Sequence, residues 1–238
     1  MPPQLNPDER ERLQAQTTEL AALAGGLAHE IRNPLSTIRM NLELLAEDLS
    51  ELDSGQSRRM LNRVDKLQRE CLNLEKVLNE FLQFARAGQL DLQVGSLNEV
   101  VDEFLAFLAP QAAEQKVELR PHLDANLPAV RLDRALMRQV LANLARNALQ
   151  AMPAGGTLEF LTMNRDGNPA LEVIDTGEGM APQVVEKMFQ AFFSTRSGGS
   201  GLGLPTVRRI IEAHDGRISC ESEPGRGTRF TILLPAAQ

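Results

Sequence analysis

The spacing of apolar residues in the first part of the chain is that of helices. They recur every three or four residues, and from Met60 to Ala85 the steps of four and three alternate strictly, as in a coiled-coil seam. From Leu20 to Leu52 extra steps of four interrupt the alternation between residues 27 and 35. A turn at residues 53–56 would separate two antiparallel helices, the first about 44 residues and roughly 66 Å long. One such hairpin cannot cover its own seams, which predicts a homodimer that closes a four-helix bundle.

The second part alternates between helical and strand patterns after a linker or short strand at residues 88–95. Strand pairs joined by short turns favour a mostly antiparallel sheet with helices on one face, which makes the whole chain an α+β protein with domains at 1–90 and 91–238. The predicted elements are a helix at 97–114, a strand at 116–123, a helix capped by Asp133 and ending at 151, a hairpin of strands at 157–163 and 170–175, a helix at 202–214, and a hairpin of strands at 217–222 and 228–234.

Composition narrows the classes of function. With 42% hydrophobic and 24% charged residues the 238-residue chain is an ordinary globular protein, and no apolar run is long enough to cross a membrane. The N-terminus has no signal-peptide core, so we expect a soluble, cytoplasmic chain. The net charge of -7 argues against nucleic acid as a partner. Cys71 and Cys220 lack the spacing of a zinc site or disulfide framework, which predicts reduced core thiols.

The first helix carries a histidine with the chemistry of a nucleophile. His29 follows the seam residue Leu27 by two positions, about 200° round the helix, so it should point outward. Pro34 should bend the helix one turn later. A neutral imidazole beside Glu30 could attack an electrophile while the carboxylate stabilises the cation that forms. The alternative is a solvated histidine on a helix face.

Three clusters in the second part could bind a ligand or a metal ion. Asn143 and Asn147 share a helix face and offer amide oxygens suited to Mg²⁺, although they could be plain surface residues. Asp175 ends an apolar strand before Gly177 and Gly179, which is also typical of a simple turn. The glycine-rich residues 198–203 precede a helix and could face phosphates, or form a flexible linker.

In this order the motifs resemble those of the cytoplasmic core of bacterial sensor histidine kinases, over nearly the whole chain. Residues 28–35 (AHEIRNPL) resemble the H-box, and the other matches are the N-box at 143–151, the G1 box at 173–180, the F-box at 189–196, the G2 box at 199–204 and the last glycine motif at 225–230. The amino-acid sequences of these motifs are most similar to those of the nitrogen-regulation type of kinase.

The resemblance implies a fold, a reaction and partners. Residues 1–90 would be the dimerisation and histidine phosphotransfer hairpin, and 91–238 a catalytic ATP-binding domain with the α/β sandwich of the histidine kinase, gyrase, Hsp90 and MutL ATPases. His29 would take the γ-phosphoryl group of Mg-ATP and pass it to an aspartate of a response regulator receiver domain. Glu30 would orient and deprotonate His29, and Asn33 could position water for phosphatase activity on that regulator.

The resemblance also implies the nucleotide site. Asp175 would accept from the adenine amino group, Thr228 would support that end, and Asn147 would bind Mg²⁺ with Asn143 beside it. Arg196 could neutralise phosphate charge. The lid would span residues 180–199, with Phe189, Phe192 and Phe193 as apolar anchors, and the remaining nucleotide-binding positions are Gly177, Gly179, Gly199, Gly201, Leu202 and Gly203.

Departures and rivals complete the sequence-based picture. Ala191 replaces the usual F-box proline, and Pro205 is acceptable only in the first turn of its helix. About 20 residues of helix precede His29 and no sensor part is visible. Either the chain is a fragment of a longer form, which could be membrane-attached, or a partner senses the signal. An ATP hydrolase of the related superfamily would need a glutamate base where Asn143 stands. A dimeric scaffold that binds nucleotide without phosphorylation is the other rival.

Overall fold

The computed structural model describes residues 7–51, 55–88, 90–196 and 199–237, and the side chains of the first helix at residue 28 and from residue 30 onward. The chain divides into two compact units, Met1–Arg86 and Ala87–Gln238. The first is helical and the second mixes helices with strands, so the predicted α+β class is confirmed. None of the helices in the described part combines the length and apolar character that crossing a bilayer requires.

The first unit is a pair of long helices, α1 (Pro7–Ser50) and α2 (Gly55–Arg86). They run antiparallel: Arg32 on α1 donates to Asn79 on α2 over 2.9 Å, and Arg39 approaches Glu75 to 3.8 Å. The predicted length of 44 residues for α1 is confirmed. Of the turn predicted at residues 53–56, residues 53 and 54 lie outside the described residues, whereas residues 55 and 56 already belong to α2, so the turn is shorter at this end than predicted.

The seams of these helices are only half covered within one chain. Leu35, Leu49, Val64 and Cys71 are buried at the contact between α1 and α2. The alternate seam residues, each seven positions from the next, remain exposed: Ile31, Ile38 and Leu45 on α1, and Met60, Leu67 and Leu74 on α2. The apolar surface predicted to be left over by a single hairpin is therefore present.

The second unit begins with a short strand and contains every helix and strand predicted for it. Its elements are β1 (Gln93–Gly95), α3 (Leu97–Glu114), β2 (Val117–His122), β3 (Val130–Leu132), α4 (Arg134–Ala151), β4 (Gly156–Arg165), β5 (Asn168–Asp175), α5 (Pro182–Lys187), α6 (Gly203–Ala213), β6 (Arg217–Glu223) and β7 (Gly227–Leu233). Two short elements, β3 and α5, were not predicted. β1 and β3 pair antiparallel as a separate two-stranded sheet.

The main sheet has five strands in the order β2-β4-β5-β7-β6, and only the β2–β4 pair is parallel. α3, α4 and α6 share one apolar core with alternate strand residues such as Phe160, Val173 and Ile232. The intervening positions carry charges that pair across strands, including Arg229 with Glu172 at 3.8 Å. The mostly antiparallel sheet is thus confirmed.

Local signals place the helix starts that matter for the site. Asp133 caps α4 as predicted, because its Oδ1 accepts from the N–H groups of Ala135 and Leu136 at 3.0 Å. Pro205 lies in the first turn of α6, where its missing N–H costs no helical hydrogen bond. Both cysteines are free; Cys71 is buried, and Cys220 is half-buried against the core of the second unit.

Candidate nucleotide-binding site and phosphoacceptor helix

The two asparagines of α4 differ in surroundings. Asn143 is buried, and its Oδ1 accepts a 2.7 Å hydrogen bond from Arg146. Asn147, one turn further along the same face, is half-buried. The first residue of α6 lies close by, since a Cβ added to Gly203 would be 3.7 Å from Asn143 Oδ1. The fold therefore brings the predicted magnesium-binding face to the start of the predicted phosphate-binding helix.

Asp175 is a buried carboxylate at the end of β5, only 6% exposed. Burial raises the pKa of Asp175, and hydrogen bonds from the backbone N–H groups of Gly177 and Thr228 oppose that rise. The Gly177 N–H to Asp175 Oδ1 distance is 2.9 Å. One carboxylate oxygen thus serves the local turn, and the side chain has acceptor capacity left for a donor such as an amino group.

Three glycines around Asp175 are required by close packing. A Cβ on Gly177 would lie 2.7 Å from Ala151 Cβ, on Gly179 2.0 Å from the Glu223 carbonyl oxygen, and on Gly227 1.9 Å from the Asp175 carbonyl oxygen. Gly179 and Gly227 also have φ of +65° and +88°. In this structure the space beside these glycines is filled by protein atoms.

Hydroxyls connect the end of the sheet to the segment that follows the G1 box. Thr228 is buried, and its Oγ1 lies 3.0 Å from Ser222 Oγ, which accepts from the Met180 N–H at 2.9 Å.

Burial, followed by the charges of Asp175 and Glu221, raises the pKa of the Cys220 thiol to about 12. Cys220 therefore stays a neutral, half-buried thiol at ordinary pH.

The segment between α5 and α6 forms hydrogen bonds to residues of the G2 box and of the N-box. The Phe192 N–H donates to the Gly201 carbonyl over 3.0 Å, and Gly201 has φ of +70° with no space for a Cβ. Arg196 donates to Gln150 Oε1 over 2.7 Å, at the C-terminal end of α4. Gly199 hydrogen-bonds the Arg196 carbonyl, and Leu202 is fully buried. Gly198 lies outside the described residues.

The three phenylalanines of this segment have different roles. Phe189 packs against the core, with the Arg208 guanidinium 5.7 Å from its ring centroid. Phe193 is half-buried. Phe192, by contrast, is 64% exposed with φ of +66°, so the prediction that it anchors the segment in apolar surroundings is wrong. The local turn, whose backbone bonds Gly201, turns the ring of Phe192 outward.

The predicted phosphoacceptor lies in the other unit. His29 is within α1, but its side chain lies outside the described residues. Glu30 and Asn33 are exposed on the same helix. Both accompany the predicted nucleophile at a solvent-facing surface, separate in the chain from Asp175 and Asn147.

The oxygen donors that the protein offers near Asn147 fit a Mg²⁺ ion that is held chiefly by the phosphates of a nucleotide. No cluster of three or more His, Cys, Asp or Glu suited to a metal occurs among the residues that the structure describes. Mg²⁺ needs no such cluster when phosphate oxygens and waters supply most ligands. The Asn147 amide oxygen is a donor of the required hard type, on the α4 face whose Asn143 lies beside the start of α6.

Sequence reasoning missed one residue at this site. Gln150, which binds Arg196, lies in the N-box but had no assigned role. Its spacing of three from Asn147 places it on the neighbouring face of the helix, and that was the available signal.

Two family models match the chain. "His Kinase A (phospho-acceptor) domain" matches residues 19–90, and "Histidine kinase-, DNA gyrase B-, and HSP90-like ATPase" matches residues 132–238. The first model covers His29, and the second covers Asn143, Asp175 and Thr228.

Curated relatives are similar over nearly the whole chain. The signal transduction histidine-protein kinase AtoS of Escherichia coli (strain K12) is 35% identical across 95% of this chain, and the sensor histidine kinase ZraS of the same organism is 33% identical across 98%. The chain covers only 37% of AtoS and 49% of ZraS, so it spans half or less of these relatives' lengths.

Solved structures of similar fold include histidine kinases with partners or nucleotide. Full-length ShkA in complex with AMPPNP superimposes with a TM-score of 0.71 and 29% identity, covering 91% of this chain and 46% of ShkA. The kinase ThkA, in complex with the response regulator protein TrrA, gives a TM-score of 0.64 and 26% identity, covering 96% of this chain and 64% of ThkA.

Proposed function

The chain belongs to the two-component sensor histidine kinases, and from that premise we propose that it is a catalytic core that phosphorylates its own His29 from Mg-ATP and passes the phosphoryl group to a response regulator aspartate. The observation that carries the proposal is the juxtaposition of the Asn143–Asn147 face of α4, the start of α6 and the buried Asp175 in one unit, in a chain whose other unit matches a phosphoacceptor domain.

ATP binding would use both ends of this site. Asp175 accepts from the adenine amino group, because its buried carboxylate selects a hydrogen-bond donor. Thr228 supports the same end, and the N-terminus of α6 with Gly199, Gly201 and Gly203 faces the phosphates. Asn147 holds Mg²⁺ through its amide oxygen, and Mg²⁺ would supply charge neutralisation at the phosphates. Arg196 contributes a further positive charge.

Phosphoryl transfer would depend on His29 and Glu30. A ring nitrogen of His29 forms a bond to the γ-phosphorus while the bond from that phosphorus to the ADP oxygen breaks, leaving ADP. Glu30 takes the proton from the other ring nitrogen, which keeps the phosphorylated imidazole from carrying a net positive ring charge. Positioning rather than strong base chemistry is the main requirement of the step.

The partner of the first unit would be a second copy of the chain. The exposed seam residues Ile31, Ile38 and Leu45 on α1, with Met60, Leu67 and Leu74 on α2, repeat every seven residues. A second hairpin that buries them completes a four-helix bundle. An exposed apolar stripe of this regularity on a monomer would otherwise be unfavourable in water.

The phosphorylated His29 would serve a receiver domain, as the ThkA complex with TrrA suggests for this kind of protein. Asn33, exposed one turn after Glu30, would position water against the phosphorylated aspartate and give phosphatase activity. A sensor domain or sensor protein would supply the signal, since the chain covers half or less of AtoS and ZraS. We place the domain boundary at 1–90 and 91–238, four residues beyond the division between the compact units.

An ATP hydrolase is less well supported. Asn143 carries an amide, which cannot take a proton from water, and its Oδ1 is already bonded to Arg146 at 2.7 Å. The nucleotide-binding scaffold remains as the rival that experiment must separate.

The decisive experiment compares the chain with its His29→Ala variant during incubation with Mg²⁺ and γ-labelled ATP. We expect label that is acid-labile and alkali-stable on the unaltered chain and none on the variant, while both bind ATP equally. Equal binding is expected because Asp175 and Asn147 lie in a different unit from His29. Label that survives the substitution would refute His29 as the acceptor, and ATP binding without any label would favour the scaffold.

A further inference from the structure

At the C-terminal end of α4, Gln150 binds the side chain of Arg196, and no function has been assigned to Gln150 so far. Arg196 Nη1 donates to Gln150 Oε1 over 2.7 Å, and Nη2 lies 3.5 Å from the Asn147 backbone oxygen. The nearest carboxylate, that of Glu178, is 3.9 Å away. The short contact is therefore made to a neutral amide.

These contacts restrict the orientation of the Arg196 guanidinium. The C-terminal turn of a helix carries partial negative charge and attracts a cation, and the long contact to the Asn147 carbonyl lies just before that turn. The contacts to Asn147 and Glu178 are both long, so neither fixes an orientation by itself. Among the described contacts of this guanidinium, the bond to Gln150 alone has the distance of a full hydrogen bond, and it determines the direction of the Arg196 side chain.

The position of this contact relates it to the nucleotide. Arg196 lies over the same helical turn as Asn147, and its own carbonyl accepts from the Gly199 N–H at 3.3 Å. Resting on the function proposed above, we propose that Gln150 is a positioning residue that holds the Arg196 guanidinium toward the phosphates of ATP. Gln150 acts through Arg196 and itself touches no reacting atom.

A glutamine suits this role better than a glutamate. An amide oxygen orients the guanidinium without adding a negative charge to those of Glu178, 3.9 Å away, and of Asp175, which also interacts with Arg196. A carboxylate at position 150 would pair with the guanidinium and repel phosphate. A guanidinium has five N–H donors, so holding it at Gln150 and Asn147 leaves donor capacity for phosphate oxygens. The fold thus keeps a positive charge on the phosphate side of the α4 end.

The test is competition of ATP, ADP and adenosine against a fluorescent ATP analogue, with the full chain and its Gln150→Glu and Gln150→Leu variants. Gln150→Glu should weaken ATP binding about fivefold, since exposed charge pairs contribute up to about 1 kcal/mol. The loss should be smaller for ADP and absent for adenosine. Gln150→Leu should show the same order with smaller losses. Gln111→Glu on α3, an exposed glutamine with the same charge change, is the matched control and should bind as the unaltered chain.

A double-mutant cycle separates this role from a structural one. In an Arg196→Ala background, Gln150→Leu, which adds no charge of its own near the phosphates, should cause little further loss, because no guanidinium remains to be held. Equal losses for all three competitors, or an undiminished effect without Arg196, would overturn the positioning role, as would unchanged ATP affinity in Gln150→Glu. Failure of the unaltered chain to bind ATP would instead refute the proposed function.

Discussion

The two units of the chain differ in how completely they bury their apolar side chains. The second unit encloses Phe160, Leu171 and Ile232 completely and buries even polar residues such as Asp175. The first unit leaves six alternate seam residues exposed, among them Leu67 and Leu74 at 53%. A sheet covered by helices can close its own core, whereas two helices present more apolar surface than they can cover. The proposed nucleotide site therefore lies within one chain, whereas we expect the hairpin to need a second one.

The largest effect on this contrast should come from a charge in the exposed seam. Leu67→Glu would bury an unpaired carboxylate from each protomer in the proposed bundle, at about 2 kcal/mol or more per group. We expect the dimer dissociation constant to rise at least about a hundredfold, measured by analytical ultracentrifugation. ATP binding by the second unit should not change.

Asn73→Glu provides the matched control for that substitution. Asn73 is exposed on α2 and lies outside the seam, so it adds the same charge without entering the bundle. If both variants remained dimeric, the exposed seam would not be the dimer interface.

A second test concerns Asp175, the buried carboxylate of the second unit. Asp175→Asn should weaken ATP binding about 10- to 100-fold, the expected loss of a hydrogen bond to a charged acceptor. The melting temperature at pH 7 should stay or rise, because burial raises the Asp175 pKa and so disfavours the ionised form in the folded state. A large fall in melting temperature would mean that the carboxylate is mainly structural.

The same pKa shift predicts a pH dependence. The folded state binds the Asp175 proton more tightly than the unfolded state, so this group's contribution to stability is full below the unfolded pKa and is lost as pH rises through the folded pKa. ATP affinity should do the opposite and fall as the carboxylate is protonated. Titration of binding against pH should show this step in the unaltered chain and in the surface control Asp166→Asn, and not in Asp175→Asn.

The smallest effects should come from surface charges of the hairpin. Arg39→Gln removes exposed contacts with Glu43 at 2.9 Å and Glu75 at 3.8 Å, and should change the free energy of unfolding by about 0.5 kcal/mol or less. Val64→Ala, at a buried seam position, should cost about 1 to 3 kcal/mol. Urea denaturation at one fixed protein concentration compares them. A larger loss for Arg39 would mean that ion pairs, rather than packing, hold the hairpin.

Periodicity was sufficient for the long elements and failed for the short ones. α3 and α4 have regular helical patterns, and α4 has a clear start at Asp133, so their bounds agree with prediction to within a residue or so. β3 has three residues and α5 six, too few for a period to emerge. β3 exists because β1 pairs with it, a contact between residues nearly forty positions apart.

The chemistry of this protein was determined largely by its sequence, since residue types in ordered motifs identified His29, Asn147 and Asp175 as candidates. Tertiary structure alone decided which groups meet: Gln150 with Arg196, Gly203 with Asn143, and the outward ring of Phe192. The physical reason is that local patterns encode the face and conformation of each segment, whereas contacts between distant segments depend on how all of them pack around one core.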